Sequence, residues 1–152
     1  MLVPTAPLLQ NWCMTRVDFY LMESGDKEQF TCRLINKIFN KKRQLYVHTA
    51  DEAQAQKLDQ LLWTYQDLAF IPHGLASERA NATELPVLIG HSEPPEDCHE
   101  VLLSLSNNPP VFFSRFERVA EIVAPTENEK IQARERFRFY RDRGYALETH
   151  KI

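Results

Sequence analysis

Short runs of β-branched and aromatic residues alternate with segments of helical spacing in the first half of the chain. Residues 16–22 (RVDFYLM) predict a buried strand, which ends at the turn-forming residues 24–26. Apolar residues then recur at helical spacing between Lys27 and Asn40, and residues 44–48 (QLYVH) predict a second strand. This order of strand, helix and strand predicts a parallel sheet with right-handed crossovers.

The middle of the chain predicts a second helix and three more strands. Thr49 and Glu52 have the spacing of a capping box, which places the start of the helix beside them. The apolar side of this helix is formed by four residues at helical spacing, Leu58, Leu61, Leu62 and Tyr65. Apolar runs at residues 87–90, 101–105 and 118–123 predict the strands. Together these elements predict a single α/β domain with a mainly parallel sheet flanked by helices.

The last predicted element is a helix from about residue 127 to residue 143. Thr126 and Glu129 form a second capping box, and Gly144 stands where a helix-terminating glycine is expected. Acidic residues lie at the start of this segment and arginines at its end, which suits the helix dipole. It is the most completely specified element of the chain.

This last helix has two distinct sides. Ala133, Phe137 and Tyr140 fall on one side, which predicts contact with the core. An adjoining basic stripe is formed by Lys130, Arg134, Arg138 and Arg141. Between residues 130 and 143 six residues are basic and two are acidic. An acidic partner would fit this stripe, but most such stripes are solvated faces, so the spacing alone leaves both interpretations open.

Length and composition limit the class of protein. A chain of 152 residues is long enough for one compact domain and short for two. With 43% hydrophobic and 26% charged residues, it has the composition of an ordinary globular protein. The net charge of −3 argues against a protein whose main task is to grip nucleic acid, so we expect no direct sequence-specific binding to DNA.

The cysteines and the first residues bear on where the protein works. Cys13, Cys32 and Cys98 are too few and too widely spaced for a disulfide framework or a CxxC metal site, which fits a reducing cytoplasm. Residues 1–14 have neither a basic start nor a run long enough for a signal peptide or a membrane span. We expect them to be a disordered extension that precedes a domain at residues 15–152.

The sequence contains no recognisable motif for catalysis or cofactor binding. The four glycines are scattered, so neither a GxGxxG fingerprint nor a P-loop is present. The possible metal ligands, His48, His73, His91, Cys98, His99 and His150, do not form a paired motif of short spacing. We therefore predict no catalytic residues, no cofactor and no metal site.

A second segment of interest is aromatic and lies at residues 62–73. Trp63 and Phe70 flank the connection that follows the second helix. Large aromatic residues at the end of a helix are usually part of the core and are sometimes the anchors of an interface. Composition does not choose between these two roles.

Several segments together resemble the chi subunit family of bacterial DNA polymerase III. They are VDFYL at 17–21, LDQLLW at 58–63, FIPH at 70–73, VLLSLS at 101–106, FERVAEIV at 116–123 and ARERFRFYRDRGY at 133–145. The resemblance covers about residues 15–148 in the same order. It implies a cytoplasmic, Rossmann-like domain without a nucleotide site or catalytic activity. It also implies an adaptor that links the psi subunit of the clamp loader to the acidic, phenylalanine-ending C-terminal tail of single-stranded-DNA-binding protein.

The resemblance assigns the basic helix to the acidic tail. Lys130, Arg134 and Arg138 match the family's basic residues that face the tail. Phe137 stands where the family often has tyrosine, which keeps the ring and loses the hydroxyl. The terminal phenylalanine of the tail would then pack against Phe137, with Val123 as a second apolar wall.

The aromatic segment is assigned to the psi subunit. Trp63 and Phe70 match aromatic residues that the family places at its psi-facing surface, and Pro72 and His73 lie beside them. Two other functions stay open at this point. One is a Rossmann-like nucleotide- or phosphate-dependent enzyme with an unrecognised site. The other is direct binding of single-stranded nucleic acid by the basic helix and its aromatic residues.

Overall fold

A computed structural model of the chain describes residues 15–64, 71–76 and 85–152. In these ranges, seven strands form one sheet: β1 (Arg16–Leu21), β2 (Leu45–His48), β3 (His73–Leu75), β4 (Val87–Gly90), β5 (Val101–Ser104), β6 (Arg118–Val123) and β7 (Ala146–Lys151). The α-helices there are α1 (Lys27–Asn40), α2 (Glu52–Thr64) and α3 (Glu127–Asp142). The predicted extension at residues 1–14 lies outside the described ranges, as do Tyr65 and Phe70.

The sheet has the strand order β3-β4-β2-β5-β6-β1-β7, and every pairing in it is parallel. One apolar cluster joins α1 and α2 to one face of the sheet. A second cluster joins α3 and the phenylalanines at positions 112, 113 and 116 to the other face. Parallel sheets are usually buried on both faces in this way. The predicted α/β class is confirmed, and the sheet is wholly parallel across the described residues.

Local pattern located most of these elements, and it missed two strands. The predicted bounds of α1, β4 and β6 agree with the structure residue for residue, while β1, β2, β5 and α3 differ by one residue at an end. The strands β3 and β7 were not predicted. β3 has only three residues, and β7 (ALETHK) is an exposed, largely polar edge strand. Such a segment becomes a strand because of what it pairs with, since strand propensity depends strongly on context.

The cap of α3 forms largely as predicted. The Thr126 hydroxyl accepts a hydrogen bond from the Glu129 amide at 3.3 Å. The Glu129 carboxylate does not return to Thr126, because it accepts from the Ala124 amide at 3.5 Å and from the Lys27 ammonium at 3.1 Å. At the other end, Gly144 follows the helix with a φ of +82°, a conformation that favours glycine.

The predicted capping box of α2 is wrong. Thr49 is fully buried, and its hydroxyl is directed to the carbonyls of Asp51 at 3.0 Å and Gly90 at 3.2 Å and not to an amide of the helix. Asp51 takes that role by accepting from the Gln54 amide at 2.8 Å. The Gln54 side chain in turn accepts from the Ala50 amide at 2.8 Å. Because Thr49 is buried beside β4, the helix is capped by Asp51, two residues further along the chain.

A buried ion pair holds α3 on the sheet. Glu121, in the middle of β6, is fully buried, and its carboxylate accepts from Arg136 Nε at 2.9 Å and from the Tyr140 hydroxyl at 3.1 Å. Arg136 is itself only 6% exposed, so it does not belong to the basic surface of the helix. Burial raises the pKa of Glu121 to about 7, even though the Arg136 charge and the Tyr140 hydrogen bond oppose that rise.

A second ion-pair network ties the edge strand β7 to the sheet. Asp18 on β1 is buried, and its carboxylate accepts from Arg118 on β6 at 2.8 Å and lies 3.0 Å from Nε2 of His150 on β7. Arg16 contacts both Asp18 and Glu148. Burial alone would raise the pKa of Asp18, but the hydrogen bonds from His150 and Arg118 and the nearby guanidinium charges outweigh it and lower the pKa.

We predict that Arg136→Met destabilises the protein by about 3–5 kcal/mol, because it leaves the Glu121 carboxyl buried without its cation. That carboxyl then has to be protonated to stay buried. The pKa of Glu121 is about 7 in the wild type and rises further in the variant, so the stability difference between the two proteins grows as pH rises above about 7. Urea unfolding at acidic and at alkaline pH measures both effects. The double variant Glu121→Gln with Arg136→Met should recover part of the stability, and equal losses in the single and double variants would contradict the account.

We predict that Asp18→Asn lowers the free energy of unfolding by about 1–3 kcal/mol at neutral pH, since it removes hydrogen bonds to a charged group. A carboxyl whose pKa is lowered by folding stabilises the protein above its unfolded pKa, and this contribution is lost as pH falls through the folded value. The difference between the two proteins should therefore shrink below about pH 4. Urea unfolding at several pH values tests this, with the exposed Asp97→Asn as a control that changes little. A difference that stays constant down to low pH would oppose it.

Candidate functional site

A groove opens between α3 and the ends of the strands beneath it. Its cavity has a volume of about 280 Å³. The walls come from β1, β6, α3 and β7 and are formed by Phe19, Leu21, Met22, Val123, Ala124, Lys130, Ala133, Arg134, Phe137 and Thr149. The site therefore combines an apolar interior with two basic residues of the helix.

The shape of the groove follows from the residues that α3 turns toward the sheet. Ala133 is buried, and its small side chain leaves space above β1. One turn further on, Phe137 is partly buried and packs against Phe19, with ring centroids 5.5 Å apart and planes tilted by 57°. Tilted aromatic pairs of this kind are favourable contacts. Phe137 therefore packs on the sheet and also lines the groove.

Two cations stand at the groove. Lys130 and Arg134 are one helical turn apart, both are exposed, and neither side chain makes an ion pair with any residue in the described ranges. Arg138 is different, because it does not line the groove and its guanidinium lies 3.9 Å from the Glu135 carboxylate. The structure thus brings together four of the five residues predicted for peptide binding and places Arg138 outside the lining.

Sequence reasoning missed half of the groove. Phe19 and Leu21 come from β1, Met22 follows directly after it, and Thr149 comes from the unpredicted strand β7. The alternation along β1 shows that Phe19 and Leu21 share a face of the sheet, but it does not show which helix covers that face. No local signal marks Thr149, because β7 lacks the apolar alternation of a buried strand.

The second predicted surface lies at the end of α2, which packs on the opposite face of the sheet from α3. Trp63 is 52% exposed, and its ring centroid lies 4.5 Å from that of His73. His73 is only 4% exposed, so it supports Trp63 from beneath. Its ring nitrogens lie 2.6 Å from the Ile71 carbonyl and 3.1 Å from the Asp59 carbonyl. Pro72 is partly buried beside them, and Phe70 lies outside the described residues.

Two other sets of reactive side chains have surroundings that disfavour a metal site or a nucleophile. Asp18, Glu148 and His150 come close enough to hold a metal ion, an arrangement that sequence spacing did not reveal. The guanidinium groups of Arg16 and Arg118 already pair with these carboxylates, and their positive charges disfavour a cation there. Burial also raises the pKa of the Cys32 thiol to about 11, which disfavours the thiolate that a nucleophile needs.

Within the described part of the chain, no helix is long and apolar enough to cross a membrane.

Comparison with known proteins gives a consistent result. Residues 14–148 match the family model described as DNA polymerase III chi subunit, HolC. A DNA polymerase III subunit chi of Pseudomonas aeruginosa is 44% identical over 142 residues, which cover 91% of this chain and 98% of the relative. The subunit chi of Escherichia coli is 27% identical over 143 residues, covering 90% and 97%, and that of Haemophilus influenzae is 29% identical over 128 residues, covering 82% and 87%. This chain therefore belongs to the chi subunit family of DNA polymerase III.

Proposed function

We propose that this chain is a non-catalytic adaptor of the bacterial replicative polymerase. In this role it joins the psi subunit of the clamp loader to the acidic C-terminal tail of single-stranded-DNA-binding protein. The observation that carries the proposal is the groove under α3, where an apolar pocket lies beside two cations that have no acidic partner among the described residues. Membership of the chi family supports the assignment to the polymerase.

The chemistry of the groove suits an acidic peptide that ends in phenylalanine. The terminal ring would be buried against Phe19, Val123 and Phe137, and the carboxylates would accept charge-assisted hydrogen bonds from Lys130 and Arg134. Each hydrogen bond to a charged group contributes about 1–3 kcal/mol before the cost of ordering the peptide. Such a complex should weaken as salt is added, because the two cations are exposed.

We predict that Arg134→Ala weakens binding of an acidic, phenylalanine-ending peptide by about 1–3 kcal/mol, or about five- to more than a hundredfold. Fluorescence polarisation at two salt concentrations measures the affinity and its salt dependence. Arg141→Ala is the matched control, because it makes the same charge change on the same helix outside the groove lining. Lys130→Ala should weaken binding less than Arg134→Ala does. Arg138→Ala should have the smallest effect of the three, because Arg138 does not line the groove. Unchanged affinity in Arg134→Ala would show that the basic side of the helix is only a solvated face.

The surface around Trp63 is the proposed contact for the psi subunit. A half-exposed tryptophan supported by a buried histidine is a rigid aromatic anchor, and tryptophan is enriched among residues that dominate interface energies. Pro72 adds to this patch, and Phe70 remains part of the prediction. Trp63 and the groove belong to helices on opposite faces of the sheet, so one chain could hold both partners at once.

We predict that Trp63→Ala weakens binding to the psi subunit by about 2 kcal/mol or more, which is about thirtyfold, with little change in melting temperature. Calorimetry with purified psi and a parallel thermal melt measure both quantities. Val111→Ala is a control, because Val111 is an apolar side chain that is 92% exposed elsewhere in the chain. Wild-type affinity in Trp63→Ala would remove this residue from the interface. Loss of folding in Trp63→Ala would show instead that its main role is structural.

A further inference from the structure

The edge strand β7 divides its charged side chains between the two faces of the sheet. In its parallel pairing with β1, Thr149 is level with Phe19 and Lys151 is level with Leu21. Side chains at paired positions of neighbouring strands share a face, so Thr149 and Lys151 point to the face that α3 covers. Glu148 is level with Asp18 and belongs to the opposite face.

This division keeps the acidic residue of β7 away from the groove. Glu148 is held on the other face by Arg16 and lies 3.8 Å from His150. On the groove face, Thr149 lines the cavity directly, and Lys151 stands beside Leu21, which also lines it. Lys151 is exposed, and no ion pair involves it within the described residues. A further basic side chain therefore stands next to the groove, on the strand that contributes Thr149 to its lining.

The end of β7 is fixed in place by its backbone. The Ile152 amide donates to the Leu21 carbonyl at 3.0 Å, and the Glu23 amide donates to the Ile152 carbonyl at 3.2 Å. Pairing with β1 thus continues past Lys151. A cation on a backbone that is already ordered loses less conformational freedom on binding than one on a free terminus.

We propose that β7 is the second half of the peptide-binding surface, and that Lys151 binds carboxylates of the acidic peptide from the side opposite Lys130 and Arg134. The inference rests on the proposed function of the groove. A peptide in the cavity would then have basic residues on both sides of the apolar pocket. The family match ends at residue 148, so neither Thr149 nor Lys151 is supplied by the matched segment.

The test uses the full chain and a synthetic acidic peptide that ends in phenylalanine. Lys151→Gln keeps the length of the side chain and removes its charge, and it should weaken binding by about two- to fivefold, the range of an exposed ion pair. Thr149→Glu places a negative charge in the lining and should weaken binding more. Lys37→Gln is the matched control, because Lys37 is an exposed lysine on α1, which packs on the other face of the sheet. Thermal melts of all variants check that the edge strand is intact.

A double-mutant cycle separates a direct contact from a general charge effect. The peptide is also prepared with its acidic side chains replaced by amides, and Lys151→Gln should then have no effect on the remaining affinity. The role of β7 would be overturned if the acidic peptide bound equally well to wild type, Lys151→Gln and Thr149→Glu. If Arg134→Ala still weakened binding, the proposed function would stand without β7. Failure of the wild-type protein to bind the acidic peptide would overturn both.

Discussion

The position of α3 depends on a carboxylate that is buried in the middle of the sheet. Glu121 accepts hydrogen bonds from Arg136 and Tyr140, which are about one turn apart on the helix, so two points of α3 are fixed on β6. Breaking such a buried pair is costly, and its partners have few other positions in which they are satisfied. The rotation of α3 about its own axis is thereby set. In that rotation Ala133 and Phe137 face β1, and Lys130 and Arg134 stand at the opening of the groove.

The groove lies where parallel α/β folds commonly bind ligands, near the carboxyl ends of the strands. In nucleotide-binding members of this class, a glycine-rich loop brings backbone amides to a phosphate. Here the space is bounded by aromatic and aliphatic side chains, with two cations of α3 at the opening. The fold alone would suggest a nucleotide, whereas the residues of the site favour an acidic peptide with an apolar end. Folds of this class host many activities, so the proposed function rests on the residues of the site and not on the fold.

The two candidate surfaces have different physical characters. The groove combines burial of a ring with exposed charge, so its affinity should respond to salt. The Trp63 surface is aromatic at its centre, with the Asp59 carboxylate 3.4 Å from Nε2 of His73. It is an exposed ring that packs on buried His73, whose own nitrogens contact backbone carbonyls. The two surfaces belong to helices on opposite faces of the sheet, so a partner bound at one leaves the other accessible.

The sequence by itself determined the elements whose signals are local. Helical spacing and flanking residues gave the bounds of α1 and nearly those of α3, and apolar runs gave β4 and β6. Helical periodicity also placed Lys130 and Arg134 on one stripe, and resemblance to the chi family attached a partner to that stripe. These features depend on residues within a few positions of one another, so they can be read along the chain.

The tertiary structure alone decided which polar side chains are buried and which polar segment becomes a strand. It buried Thr49, so that Asp51 caps α2 instead, and it buried Arg136 while Arg134, Arg138 and Arg141 on the same helix stayed exposed. It also made a polar segment into β7, where His150 meets Asp18 across 132 positions of sequence and Thr149 completes the groove. Each outcome depends on hydrogen bonds and pairings between residues that are far apart in the chain. A local pattern of polarity is the same whether or not those distant partners are present, and therefore only the folded chain could decide them.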